Sequence, residues 1–128
     1  MSYANPSRFI SACRGQAVDR IPVWMMRQAG RYMPEYRALK ERSGGFWGLC
    51  TNAEAIAEAT LFAQRCLDTD AAIIFSDITL PAWAMGMQLE FAPGPKFANP
   101  TRTQSDVDAL KVIDPDRDMP FSASRAYA

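Results

Sequence analysis

Arg27 and Arg31 flank "QAG" in the run "WMMRQAGRYMPEYR". A guanidinium is a rigid fork of N–H donors that grips a carboxylate through two parallel bonds, which an ammonium group cannot match. A tight turn at Gly30 would aim both forks, and some backbone N–H groups, at one place. Each charge-assisted hydrogen bond contributes about 1.5–3 kcal/mol. Two or three of them suit a ligand that carries several carboxylates. Phosphate is the competing anion, but the loop has neither a GxGxxG nor a GxxxxGKS/T pattern, so a nucleotide loop is disfavoured. Asp77, in "AAIIFSDITL", is a group of the opposite kind. A carboxylate at the end of an apolar run is an acceptor that needs N–H donors. The plain alternatives are solvated arginines and an aspartate that caps a turn.

Other residues narrow the chemistry. The sequence has no histidine, which excludes a Ser-His or Cys-His nucleophile within it and weakens a transition-metal site. Cys13, Cys50 and Cys66 are widely spaced, form no CxxC pair and read as reduced thiols of a cytoplasmic protein. The 14 basic and 14 acidic residues balance, so no global field points to nucleic acid or an anionic membrane, and any anion recognition must be local. Arg37 and Lys40 read as solvated helix charges. Trp24, Met25, Met26, Phe75 and Met87 could line an apolar cavity, although apolar residues near strands are core by default.

The elements that must position these groups follow from pattern and punctuation. "NPSRFISACRG" reads as a short helix capped by Asn5, opened by Pro6 and ended by Gly15. Val23–Met26 is a continuous apolar run, too short for a helix, and fits a strand covered on both faces. "RQAGRYM" is a loop. Pro34 opens a helix over residues 34–43, with Glu35 at its positive end, Lys40 and Arg42 at its negative end and Gly44 as its stop. "FWGLCT" reads as irregular. Asn52 caps a strong helix over 53–67, with Ile56, Thr60, Ala63 and Leu67 at helical spacing and Glu54, Glu58 and Gln64 elsewhere on its surface. Ala71–Phe75 is the second buried-strand run. "ILPAWAMGM" is interrupted by Pro81 and Gly86 and takes no assignment. "QLEFA" alternates like a strand, "PGPKFANP" reads as a loop, and Ser105 caps a last helix, "DVDALKVI". The end of the chain, "DPDRDMPFSASRAYA", shows no period, and residues 119–128 read as an atypical tail.

Two covered strands separated by helices argue for the α/β class with a parallel sheet. Two strands do not make a sheet with two covered faces, so residues 1–128 read as a single partial domain, the opening of a larger α/β fold. The C-terminal ends of parallel strands are where such folds bind ligands, and both Arg27 and Asp77 fall there. The N-terminal stretch lacks the long apolar core of a secretory signal, and no run approaches the ~20 apolar residues of a membrane span.

A ligand with carboxylates at its rim and N–H groups at its centre would satisfy the arginines and Asp77 together. A cyclic tetrapyrrole with acetate and propionate arms is such a ligand. "PVWMMRQAGRYMPEYR" and "AAIIFSDITLPAWAMGM" closely resemble two signature blocks of the uroporphyrinogen decarboxylase family of haem biosynthesis. The resemblance spans about residues 5 to 118. It implies a (β/α)₈ TIM barrel, a homodimer when full length, no cofactor and no metal. The implied small-molecule substrate is uroporphyrinogen III, whose four acetate arms lose carbon dioxide to give coproporphyrinogen III. The resemblance further implies that Arg27, Gln28, Ala29, Gly30 and Arg31 bind the substrate carboxylates and that Asp77 accepts the central pyrrole N–H groups. It also links the Arg27 position to proton transfer, although a guanidinium hardly deprotonates and suits a clamp better.

Members of that family are about three times as long as this chain, so the barrel implied here is its N-terminal portion. Two other functions compete. One is a truncated, non-catalytic fragment that keeps the anion loop. The other is a corrinoid-linked methyltransferase of the same barrel type, which normally needs zinc ligands from His and Cys.

Overall fold

The computed structural model describes residues 7–91 and 94–118. Asn5, Pro6 and the tail 119–128 lie outside the described residues. The elements run α1 (Ser7–Cys13), α2 (Pro34–Arg42), α3 (Phe46–Cys50), α4 (Ala53–Leu67), α5 (Leu80–Ala84), β1 (Leu89–Phe91), β2 (Pro95–Phe97), α6 (Gln104–Asp108) and α7 (Pro115–Asp118).

The core lies between α2, α3 and α4. Met33, Tyr36, Leu39, Leu49, Ala55, Ala59 and Ala63 form one buried cluster, against which Ala29, Phe62, Leu67 and Phe75 pack. Ala55, Ile56, Ala59, Thr60 and Ala63 are the buried residues of α4, one stripe at helical spacing. Asn52 caps α4 as expected, its side chain accepting the Ala55 N–H at 2.9 Å. Asp68 ends it in the left-handed conformation, with φ of 48°. Gln64, expected on the surface, is half-buried and donates to the Thr69 carbonyl at 2.7 Å.

Several expectations are corrected. Val23–Met26 and Ala71–Phe75 are not strands, with bends at Met26 and Ala71, and the described residues contain no parallel pair. Their tie is the Asp70 N–H donating to the Val23 carbonyl at 2.9 Å, plus side-chain bonds. A parallel strand buried on two faces needs neighbours on both edges. These segments lack them, and Val23, Trp24, Met25 and Met26 are exposed. The sheet present is the antiparallel pair β1–β2, with Glu90 opposite Lys96. "QLEFA" therefore does contain a strand, but "PGPKFANP" contains its partner rather than only a loop.

"FWGLCT" is mostly α3, not irregular chain. Gly48 makes it possible: a Cβ there would stand 1.8 Å from the Ser43 carbonyl oxygen, so only glycine lets α3 fold back on the end of α2. Pro81 does not interrupt "ILPAWAMGM" but lies in the first turn of α5, where a missing N–H costs nothing. Thr103, not Ser105, caps α6. Its hydroxyl accepts the Asp106 N–H, and the Asp106 carboxylate accepts the Thr103 N–H at 2.8 Å, a reciprocal capping box.

At the start of the two segments, Asp70 gathers Arg8, Arg20 and Val23. It accepts from Arg8 at 2.5 Å, Arg20 at 2.7 Å and the Val23 N–H at 2.7 Å. The Val23 N–H, Arg8 and Arg20 together hold its carboxyl down at about 2.

Candidate functional site

An open cavity of about 980 Å³ lies between the loop after Val23–Met26, the segment 73–78 and the β1–β2 hairpin. All six residues singled out by sequence border it: Arg27, Gln28, Ala29, Gly30, Arg31 and Asp77.

The loop is shaped by a turn, with the Met33 N–H donating to the Gly30 carbonyl at 3.0 Å. Gly30 makes a close approach: a Cβ there would stand 3.2 Å from the Tyr32 ring, which would have to give by a few tenths of an ångström. The Tyr32 hydroxyl in turn donates to the Gln28 carbonyl. The Arg27 and Arg31 side chains are exposed, and neither guanidinium makes a hydrogen bond or ion pair among the described residues. Arg37 is exposed, as expected of a solvated helix charge, and also donates to the Arg31 carbonyl at 2.8 Å, bracing the loop. Lys40, expected likewise, is half-buried and borders the cavity.

Gln28 differs from its neighbours. It is 2% exposed, and its amide is spent inside the protein. Nε2 donates to Thr69 Oγ1 at 3.1 Å and to the Ala71 carbonyl at 2.7 Å, while Oε1 accepts the Ile73 N–H at 3.1 Å.

Asp77 Oδ1 accepts the Thr79 N–H at 2.8 Å and the Thr79 hydroxyl. The aspartate thus does cap a turn, and that bond fixes its carboxylate while Oδ2 keeps its acceptor capacity. Its charge is felt locally. Burial, then the Asp77 charge, pushes the Cys50 thiol up to about 12, so Cys50 is held as a neutral thiol. Burial is also the main cause that raises the Tyr36 phenol, where Arg31 acts in the opposite direction.

An aromatic wall backs the cavity. Tyr36 and Phe75 have ring centroids 5.5 Å apart, Phe46 and Phe75 6.2 Å, Phe46 and Phe91 4.5 Å, and Trp47 and Phe91 6.2 Å. Of the apolar residues considered from sequence, Met26 and Phe75 border the cavity, whereas Trp24, Met25 and Met87 are not among its lining. Phe46, Trp47 and Phe91 were missed. Their signal was available in "GGFWG", a glycine pair followed by two aromatics, and in the alternation of "QLEFA".

The described residues hold no group of three or more His, Cys, Asp or Glu side chains placed for a metal ion. No helix among them is long and apolar enough to cross a membrane. The cavity thus offers guanidiniums to anionic groups, a free carboxylate oxygen to a donor and an aromatic wall to apolar surface.

The family model of uroporphyrinogen decarboxylase (URO-D) matches residues 4–125. A uroporphyrinogen decarboxylase of Trichlorobacter lovleyi is 51% identical over 115 residues, which is 90% of this chain and 34% of that protein. One of Cellvibrio japonicus is 53% identical over 123 residues, 94% of this chain and 35% of its own length. One of an Anaeromyxobacter species is 52% identical over 122 residues, 89% of this chain and 35% of its own length. The chain spans about a third of the length of the curated relatives it matches. A cavity framed by the arginine loop and Asp77, and a family match over nearly the whole sequence, lead to one conclusion: the chain belongs to the uroporphyrinogen decarboxylase family.

Proposed function

We propose that this chain supplies the carboxylate clamp and the pyrrole-binding acid of a uroporphyrinogen decarboxylase, a carboxy-lyase that converts uroporphyrinogen III to coproporphyrinogen III. The carrying observation is one cavity bordered by two guanidiniums without partners among the described residues, a fixed carboxylate and an aromatic wall. Arg27 and Arg31 grip the peripheral carboxylates, with backbone groups from Gln28 to Gly30 beside them. Asp77 turns its remaining oxygen to the converging pyrrole N–H groups.

The chemistry needs an electron sink next to each acetate. Protonation of the ring carbon next to the one that bears the arm makes the ring cationic, with positive charge shared by the arm-bearing carbon. The electron pair of the CH₂–CO₂ bond then flows into the ring and carbon dioxide leaves. A proton delivered to the exocyclic carbon completes the methyl group and the ring carbon gives up its added proton to restore the pyrrole, so each arm exchanges carbon dioxide for one proton. The Asp77 charge stabilises the cationic ring. Arg27 acts as a clamp rather than as the acid, since a guanidinium holds its proton. The complete protein is a (β/α)₈ barrel, of which this chain is the N-terminal portion. It acts as a cytoplasmic homodimer without cofactor or metal, and family membership supports that reading.

A second reading is a chain that keeps the anion loop without turnover. The absence of a backbone ladder between Val23–Met26 and Ala71–Phe75 favours it for the chain on its own. The corrinoid-linked methyltransferase has no such support, as the relatives named above are decarboxylases.

The test is a titration with uroporphyrinogen III under anaerobic conditions, using a full-length protein that carries this sequence as its N-terminal third. Arg31→Ala should weaken affinity by at least about 1.5 kcal/mol, the lower value for a charged hydrogen bond. Unchanged affinity would remove Arg31 from the site.

A further inference from the structure

Ile73 and Phe75 lead up to Asp77 in a segment outside helix and strand. Neither N–H meets a backbone carbonyl among the described residues. Ile73 donates instead to Gln28 Oε1 at 3.1 Å, and Phe75 donates to Thr60 Oγ1 at 2.9 Å. Both accepting side chains are at most 2% exposed. Both are also held from behind. Gln28 Nε2 donates to Thr69 and Ala71, and the Thr60 hydroxyl donates to the Ile56 carbonyl at 2.8 Å, within α4.

We infer that Gln28 and Thr60 are positioning residues, which hold the segment carrying Asp77 in register with the arginine loop. The inference rests on the roles proposed for Arg27 and Asp77. Gln28 adjoins Arg27 in sequence and bonds the segment that ends in Asp77, so one side chain fixes the roots of both groups. Its amide has both a donor and an acceptor role inside the protein, which assigns it to positioning rather than to gripping a carboxylate. Thr60 ties the same segment to the best-packed helix, two residues before Asp77. A ligand clamped at its rim and bonded at its centre tolerates little error between these points. Misplacement by about 1 Å can cost on the order of a hundredfold in rate.

The experiment compares Thr60→Val with Thr60→Ser in a full-length protein carrying this sequence. Valine keeps the volume and removes the acceptor, while serine keeps the hydroxyl. Thr60→Val should lower kcat about ten- to a hundredfold, with a smaller change in KM, because Asp77 acts on the transition state. Amide exchange at Phe75 should accelerate in the same variant, and Thr60→Ser should restore both. A valine variant with normal kcat and unchanged Phe75 exchange would overturn the inference. So would a serine variant as impaired as valine, which would point to lost packing. If Thr60→Val fails to fold, Gln28→Glu replaces it. That variant keeps the acceptor for Ile73 but sets a carboxylate oxygen against the Ala71 carbonyl, so kcat should fall and Ile73 exchange should accelerate. Unchanged values would overturn the inference. If the unsubstituted protein does not act on uroporphyrinogen III, the functional reading fails. Exchange at Ile73 and Phe75 then decides alone whether the side chains hold the segment: unchanged exchange in both variants overturns the inference, and faster exchange supports it.

Discussion

In α2, α3 and α4 the apolar side chains face one another, and Leu49, Cys50 and Ala63 have no exposure at all. In Val23–Met26 the apolar side chains keep between 44% and 71% of their surface in water. The helices thus hold themselves by burial, while the two segments are tied by polar bonds from Gln28, Thr60 and Asp70, with Phe75 alone packed on the buried cluster. The residues proposed to meet the substrate all border the second region. A site laid on a weakly self-supporting backbone must borrow its rigidity, and here α4 and the buried amide of Gln28 lend it. In the barrel proposed above, neighbouring strands would cover the exposed faces and pair the open edges.

The contrast can be broken by substitution in a full-length protein carrying this sequence. Leu49→Ala empties a fully buried site and should cost about 2–5 kcal/mol by denaturant unfolding. If it costs no more than Met26→Ala, the helices are not the self-held region. Gly48→Ala comes next. Its Cβ would collide with backbone at Ser43, and a side chain forced into packed space costs about 1–3 kcal/mol or more. A thermal midpoint equal to that of the unsubstituted protein would show that α3 does not need this approach. Asn52→Ala removes the cap of α4 and should cost about 1 kcal/mol; no loss would mean that the cap is replaced by solvent.

Acid sharpens the comparison more gently. The folded Asp70 carboxyl titrates at about 2, below its ordinary 3.8. A depressed carboxyl contributes stability that is present above the ordinary value and is lost as pH falls through the folded one. Stability should therefore decline from about pH 4 to about pH 2. Asp70→Asn should flatten that decline, as read from unfolding curves across the range. An identical pH profile in the variant would remove Asp70 as a link between α1 and Val23.

Much of this organisation was legible in the sequence, for reasons that differ by element. Pro34, Gly44 and Asn52 mark helix ends by local chemistry, so α2 and α4 stand where their punctuation puts them. Arg27, Arg31 and Asp77 were legible because they follow apolar runs, and the structure brings them to one cavity. β1 was legible in the alternation of "QLEFA", but Val23–Met26 and Ala71–Phe75 misled, because an apolar run reports a wish for burial and not the presence of neighbours. α3 was hidden because its helicity depends on Gly48 meeting Ser43, a tertiary contact without a local signal. Two prolines in "PGPKF" concealed β2, yet an edge strand tolerates a proline at its start. The inward commitment of Gln28 was equally invisible, since nothing in "RQAGR" tells which side chain turns away from the ligand.

The most direct measurement is the turnover of Asp77→Asn in a full-length protein carrying this sequence, assayed anaerobically with uroporphyrinogen III. Asparagine is nearly isosteric, but it exchanges an acceptor oxygen for a donor and removes the charge. The expected result is a fall in kcat of about 10²–10³-fold, the loss seen when a charge-stabilising group is deleted from a site, with an unchanged far-ultraviolet circular dichroism spectrum. A variant that folds and turns over normally would contradict the central claim and leave Asp77 as the cap of a turn.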